Sequence, residues 1–432
     1  MRIKTLELTN VRGFTHAKLE FQPGFNLIVG INGVGKTTVL ETLRVSLTHI
    51  LKEIKSPIIK SESFKKSDIN INTNQLHVNT SFKLDDKDYD FIYSKSAKNF
   101  TTISTEQKKR TKESTANIRE EGITLEDITE FKPEIKRTSK IPELGLFFST
   151  RRSLLVSQTS KAVKSGLLYA AAYVDALSET RAFNVKMFAE WFKVRKELAK
   201  GTPNHTKIIK LIEQTIYTFL PGFSDLDLVE DEISKELTFY ITKSNKVLNF
   251  NQLSDGERGV LALVFDIARR LIIANMHSDR PLEGEAVILI DELDLHLHPK
   301  WQRTIVSDLT RTFPNCQFIA TTHSPQIIGE VNPKAINIID KNYEEEVYKP
   351  NVAFGLDAQR VLEELLDAPI RNVDINKKFI ELSKSVDDEK FEDAKKLISE
   401  LKQILGEHDP ELIRTNSMIQ FLEEDLEDEK DS

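Results

Sequence analysis

The sequence contains a single cysteine, Cys316, in 432 residues. That excludes a disulfide framework, and it excludes any paired-cysteine zinc site or zinc hook. No run approaches the roughly 18 to 20 apolar residues that a membrane-crossing helix needs. The first ten residues, MRIKTLELTN, lack the apolar centre of a secretion signal, so a cytoplasmic chain is expected. Hydrophobic residues at 39% and charged residues at 29% rule out global disorder and fibrous repeats. No repeat period recurs, and the apolar stripes are too short for a long coiled coil. A chain of 432 residues exceeds one compact core, which implies a core domain carrying an insertion and an appendage.

The net charge of -7 is concentrated at one end. Phe421–Ser432 (FLEEDLEDEKDS) holds seven acids and one lysine, so the rest of the chain is nearly neutral. Within that remainder, Tyr93–Arg119 has seven Lys or Arg against two acids, and Lys132–Ser165 has eight against two. Such runs offer a surface to nucleic-acid phosphates. They read first as the solvated faces of an insertion, with the Glu-rich Glu120–Glu130 between them, and the sequence leaves nucleic-acid binding open.

Short strands are expected at Arg2–Thr9, Ala17–Phe21, Phe25–Val29, Leu76–Leu84 and Tyr89–Tyr93, bounded by turn residues such as Pro23-Gly24. Val39–Leu51 has the spacing of a buried helix. Ser94–Lys140 is polar and poor in large apolar residues, which suggests a surface insertion. Helical spacing returns over Leu167–Ala199 and Ile208–Phe219, then come a strand at Leu237–Thr242 and a long helix over Ser254–Ala274. Ala286–Ile290, Gln317–Thr321 and Ala335–Ile339 are continuous apolar runs of the kind that form parallel core strands. From Asp367 the composition turns to charged helices, with two apolar stripes broken at Gly406–Pro410 that read as a helical hairpin. The expected organisation is two halves of one head, 1–93 and 236–366, separated by an insertion and helical lobe at 94–235 and followed by a helical tail at 367–432.

The chemistry concentrates in four places. Gly30-Ile31-Asn32-Gly33-Val34-Gly35-Lys36-Thr37 fits G-x-x-x-x-G-K-[ST] and lies between an apolar strand and an apolar helix. Glycines there let the backbone wrap phosphates, Lys36 reaches the β- and γ-phosphates, and the Thr37 hydroxyl suits Mg²⁺. Gly30, Asn32, Gly33, Gly35, Lys36, Thr37 and Thr38 are therefore the expected ATP contacts. The strand Ala286–Ile290 ends in Asp291-Glu292 at the carboxyl edge of the sheet, where ligands of such folds collect. Asp291 can share the metal with Thr37, and Glu292 can orient or deprotonate an attacking water. Leu253-Ser254-Asp255-Gly256-Glu257-Arg258 opens a helix with Ser254 as its cap, and Thr321-Thr322-His323-Ser324 follows a later strand.

In this order the four segments resemble ABC-type ATPases, in particular the SMC/RecF-like and overcoming-lysogenization-defect-like branch, over most of the chain. The resemblance implies an α/β fold: an ABC-type P-loop head with an inserted helical lobe and a C-terminal helical appendage. It implies ATP and Mg²⁺ as cofactors and a head-to-tail homodimer, in which Ser254, Gly256 and Glu257 of one subunit face the γ-phosphate held by the other. It also makes Asp294 the aspartate of the loop that crosses the dimer interface, and His323 the sensor of the γ-phosphate that positions Glu292. The glutamine expected to touch Mg²⁺ has one candidate, Gln158, and Arg12 has two readings, a phosphate contact or a surface role. His296 and His298, in DELDLHLHP, resemble the same loop of RecF-like ATPases and are not read as zinc ligands, since no cysteine or third histidine is near.

The tail lacks the acidic strand-end pattern of a Toprim nuclease, and no HNH cluster occurs, so nuclease activity is not expected of this chain. With the insertion and short tail, and with FGLDAQRVLEELLDAPIRN at Phe354–Asn372, it resembles the PtuA family of Septu anti-phage ATPases and the related retron-associated ATPases. That resemblance implies a separate HNH nuclease as partner, assembly beyond a dimer, and no membrane association. A DNA-binding repair ATPase and an ATP-sensing scaffold with negligible turnover are the alternatives the sequence leaves standing.

Overall fold

The computed structural model describes residues 1–54, 59–98, 101–107, 143–150, 155–156, 169–179, 183–201, 203–230, 233, 236–340, 346–368 and 371–430. They fall into two units, Met1–Asp357 and Ala358–Ser432.

The first unit opens with β1 (Arg2–Val11), β2 (Phe14–Glu20), β3 (Phe25–Val29), α1 (Lys36–Glu53), β4 (Gln75–Leu84), β5 (Lys87–Ser96), β6 (Thr101–Gln107) and β7 (Leu144–Phe148). After two short paired strands, β8 (Leu155–Val156) and β9 (Phe183–Asn184), come α2 (Val185–Ala199) and α3 (Pro203–Phe219). Next are β10 (Phe223–Glu230), β11 (Leu237–Lys243), β12 (Lys246–Asn249) and α4 (Asp255–Ala274). The unit closes with β13 (Ala286–Ile290), α5 (Pro299–Thr312), β14 (Cys316–Thr321), α6 (Pro325–Ile328), β15 (Ile336–Ile339) and β16 (Val347–Tyr348).

Two sheets carry this unit. An antiparallel sheet runs β2-β1-β4-β5-β6, and a six-stranded sheet runs β16-β15-β3-β14-β13-β7. In the second sheet the five strands from β15 to β7 are parallel, and β16 pairs antiparallel at the edge. Every residue of β3, β7, β13, β14 and β15 is buried, the pattern of strands covered on both faces. β2 instead alternates buried and exposed residues, as expected of a sheet with one solvated face. Helix α1 packs against both sheets, touching β7, β13 and β14 of one and β4 and β5 of the other, which is why Val39, Leu40, Leu43, Leu47, Ile50 and Leu51 are all buried.

A polar clasp fixes the two sheets together. The side chain of Gln317, on β14, is buried; its Oε1 accepts from the Ile3 N–H at 2.7 Å, and its Nε2 donates to the Ile3 carbonyl at 2.8 Å and the Gln22 carbonyl at 3.1 Å. Satisfying every polar atom in this way makes burial of an amide tolerable. Elsewhere, Phe188 of α2, Phe239 of β11, Phe250 in the turn before α4, and Phe265 of α4 pack with ring centroids 4.4 to 6.3 Å apart, joining the helical lobe to α4.

The second unit contains α7 (Ala358–Leu366), α8 (Val373–Asp387), α9 (Phe391–Leu405) and α10 (Pro410–Lys430). Leu382, Ala394, Ile398, Leu401, Leu412 and Ile419 form its own small core. Arg371, just before α8, pairs with Asp409 at 3.0 Å and Glu411 at 2.9 Å at the start of α10, and its guanidinium lies over the Phe379 ring.

Several elements differ from the sequence expectation. Thr101–Gln107, assigned to a polar insertion, is β6, and it pairs with β5 from Thr101 to Gln107 because a solvated edge strand needs no apolar side chains. The stretch Leu144–Phe148 is a core strand that its neighbours in sequence disguised. Among the described residues of 167–199, Val185–Ala199 is α-helix; Tyr169–Ala172 forms a 3-10 turn, and turns follow it to Leu177. β10 and β12 flank the expected strand at Leu237. The tail is more than a hairpin, since α8 packs on α9 as α10 does. Most of the two basic runs lies outside the described residues.

Candidate nucleotide-binding and hydrolysis site

Strand order brings the separate motifs to one edge. β14 lies between β3 and β13, so the carboxyl ends of these three strands stand side by side. They carry Gly30–Thr37, Thr321–Ser324 and Asp291–Asp294 respectively.

Between β3 and α1 the chain turns through Gly35 at φ 113°, where a Cβ would sit 2.5 Å from the Phe14 ring. Only glycine meets both demands. Lys36 begins α1, and its Nζ donates to the Gly30 and Ile31 carbonyls, both at 2.9 Å, which holds the loop in a closed curl. Burial lowers the Lys36 pKa to about 8, while Asp291, Glu292 and Asp294 act to raise it. The ammonium thus stands in a carboxylate-rich pocket and remains charged at neutral pH.

The Thr37 Oγ1 donates to the two carboxylate oxygens of Asp291 at 3.4 and 3.3 Å. Asp291 also accepts from Thr321 Oγ1 at 2.7 Å, and its backbone N–H donates to the Phe148 carbonyl at 2.8 Å. A hydroxyl from the start of α1 and a carboxylate from the end of β13, with the carboxylate steered by a third group, form the hard-oxygen donor set that suits Mg²⁺. Glu292, two residues past the end of β13, lies in the left-handed region at φ 47°, and its N–H donates to Thr321 Oγ1 at 2.7 Å. A non-glycine residue in that conformation is held by its surroundings, here by the Thr321 bond.

Asp294 is bonded within its own subunit: its Oδ1 accepts from Thr322 Oγ1 at 2.6 Å and from the His323 N–H at 3.3 Å. His323 is half-buried, and burial and Lys36 lower its pKa despite Asp294 and Asp291. The imidazole is therefore neutral at pH 7.

At the start of α4, Ser254 and Glu257 form a reciprocal cap. The Ser254 hydroxyl accepts from the Glu257 N–H, and the Glu257 carboxylate accepts from the Ser254 N–H at 2.9 Å and its hydroxyl at 2.9 Å. Lys243 bonds the other Glu257 oxygen. Among the described residues, no hydrogen bond joins Ser254, Gly256 or Glu257 to the loop 30–37. Gly256 packs on the segment after Asp294, where a Cβ would meet the His296 carbonyl oxygen at 2.3 Å.

The remaining expected residues are placed as follows. Gln158 lies outside the described residues. Arg12 pairs with Glu41 at 2.6 Å and Asp68 at 2.9 Å, so two carboxylates hold it at the wall of a cavity of about 100 Å³ that also touches Thr38, Arg44, Glu62, Phe64 and Lys65. This cavity was not foreseen; apart from Arg12 and Thr38 its lining bears no motif. His298 caps α5, its Nδ1 accepting from the Lys300 N–H at 3.2 Å, and His296 sits in the left-handed region at φ 61°. Asn32 and Gly33 lie in the turn before Lys36, and Gly33 has φ 81°.

A phosphate loop, a metal-suited Thr–Asp pair, a following glutamate and a neighbouring histidine on one parallel sheet define an ABC-type P-loop ATPase head. The chain belongs to the family described as "AAA domain, putative AbiEii toxin, Type IV TA system", which matches residues 25–329. It is 30% identical over 84% of its length to "Retron Vc95 probable ATPase" of Vibrio cholerae serotype O1 biovar El Tor, covering 78% of that protein. It is 26% identical over 99% of its length to "Retron Ec83 probable ATPase" of Escherichia coli, covering 88% of it. It is also 25% identical over 84% of its length to "Septu protein PtuA" of Bacillus thuringiensis, covering 83% of that protein. The chain is thus an SMC/RecF-like ATPase resembling PtuA.

Proposed function

We propose that this protein binds and hydrolyses ATP, and that nucleotide-dependent pairing of two heads regulates a separate HNH nuclease in an anti-phage defence complex. The observation that carries the ATPase part is the approach of Thr37, at the start of α1, to Asp291, at the end of β13, at 3.3 Å, with Glu292 next in sequence. The names of the retron and Septu relatives support the defence setting.

In this reading the loop N–H groups and Lys36 bind the phosphates. Thr37 and Asp291 would hold Mg²⁺, which supplies charge neutralisation on the phosphates when bound. Glu292 accepts the proton of the attacking water, and neutral His323 orients the γ-phosphate end of the site. Ser254, Gly256 and Glu257, at the positive end of α4, complete the site of a second subunit, with Asp294 at the join. The helical tail, 367–432, docks the nuclease or neighbouring subunits.

Calorimetry and phosphate release on the full chain test this directly. Lys36→Ala should lose about 2 to 4 kcal/mol of ATP binding, and Glu292→Gln should bind ATP normally with turnover reduced at least about 100-fold. Unchanged ATP affinity in Lys36→Ala rejects the phosphate-loop assignment. For the partner, tagged protein should copurify with an HNH nuclease whose cutting responds to ATP; recovery alone with DNA-stimulated hydrolysis would favour a repair ATPase.

A further inference from the structure

Between β13 and α5, the segment 292–298 lies between two functional elements of its own subunit. On one side Gly256, in the motif that opens α4, packs against the His296 carbonyl, with the Trp301 ring 3.6 Å from where its Cβ would be. On the other side the segment is bonded to the residues that follow β14. Near Asp291 these bonds are many: Glu292 N–H to Thr321 Oγ1, Leu293 N–H to the Thr321 carbonyl, and Asp294 to Thr322 and His323.

At the far end a side chain makes the connection. Gln302, on the first turn of α5, donates from Nε2 to the Leu297 carbonyl at 2.9 Å and accepts at Oε1 from the Ser324 hydroxyl at 2.7 Å. Ser324 is buried, follows His323 directly and caps α6 by accepting from the Ile327 N–H. Gln302 therefore bonds both the loop that packs on Gly256 and the residue next to His323. The Leu297 carbonyl can only accept, which fixes the orientation of the Gln302 amide and turns its oxygen to the Ser324 hydroxyl, whose proton Gln326 Oε1 also approaches at 3.1 Å.

We infer that Gln302 is a positioning residue for ATP turnover: it holds His323 and the 292–298 loop in fixed relation, and so couples the subunit's own γ-phosphate end to its Gly256 motif. The inference rests on the ATPase reading above. Among the described residues no hydrogen bond joins the Gln302 side chain to the phosphate loop or to Asp291, so its role is in the turnover step and not in nucleotide affinity.

The test is ATP titration and phosphate release on the full-length chain carrying Gln302→Met, which keeps the length of the side chain and removes both bonds. Loss of two neutral hydrogen bonds predicts a kcat lower by roughly 10-fold or more, with ATP affinity unchanged and the pH dependence of kcat altered. Ser324→Ala, and the double variant, complete a cycle. If the two residues act as one connection, the double variant should be no slower than the slower single variant. Wild-type kcat in Gln302→Met, or losses that simply multiply in the double variant, overturn the inference while leaving the ATPase reading intact. A parallel fall in ATP affinity and melting temperature would mean a structural role only and would also overturn it. A wild-type protein that binds ATP without hydrolysing it would instead reject the ATPase reading, and the inference with it.

Discussion

His323 shows how position changes the chemistry of a common side chain. Burial, with Lys36 close by, holds its imidazole below the ordinary value of 6.5. The unfolded chain therefore protonates this group first as pH falls, binds more protons than the folded chain, and gains on it. The contribution is a loss of stability that is absent well above pH 6.5 and develops as pH drops through that value. His323→Gln should consequently soften the acid sensitivity of the melting temperature between pH 7.5 and 5.5. Equal sensitivity in the two proteins would show that the imidazole is not held neutral. Lys36, a second cationic group lowered by burial, has its pKa brought down to about 8. Three carboxylates keep it protonated at neutral pH in spite of burial, which is the state a phosphate requires.

Among the elements, α4 and the segment 292–298 depend on each other most. Gly256 is well suited to face a second subunit's phosphate, yet within one subunit the His296 carbonyl already excludes a side chain there. Gly256→Ala should therefore destabilise the folded head by about 1 to 3 kcal/mol through overpacking and displace the loop that carries Asp294. Thermal unfolding measures the first effect, and phosphate release measures the second. A variant that melts and turns over like the parent would mean that the loop yields freely, against the close packing seen. The cap formed by Ser254 and Glu257 is independent of this contact, since it satisfies backbone groups of α4 alone.

On the scale of the whole molecule, Met1–Asp357 holds every residue proposed for the nucleotide site, and Ala358–Ser432 has a core of its own. A chain ending at Asp357 should accordingly keep its ATP affinity, and 358–432 alone should show helical circular dichroism with a cooperative melt. Loss of ATP binding on truncation, checked by calorimetry, would show that the head depends on the tail. Retention of assembly mass by the truncated chain would count against a docking role for the tail.

The phosphate loop, the Asp291-Glu292 strand end, the Ser254 cap and the parallel strands of the head could be read from the sequence. Each is local: a spacing of glycines, an unbroken apolar run or a capping pair that needs only its own neighbours. β6 and β7 could not, because an edge strand of polar residues and a short core strand between charged stretches take their structure from the sheets they join. The sequence also gave no hint that Arg12 is held by Glu41 and Asp68, that Gln317 clasps two sheets, or that Gln302 joins Leu297 to Ser324. Those contacts link residues from 5 to 314 positions apart through side chains of ordinary type, so their meaning depends on which strands become neighbours. Strand order decided that, by placing β14 between β3 and β13 and so assembling one site from three distant segments.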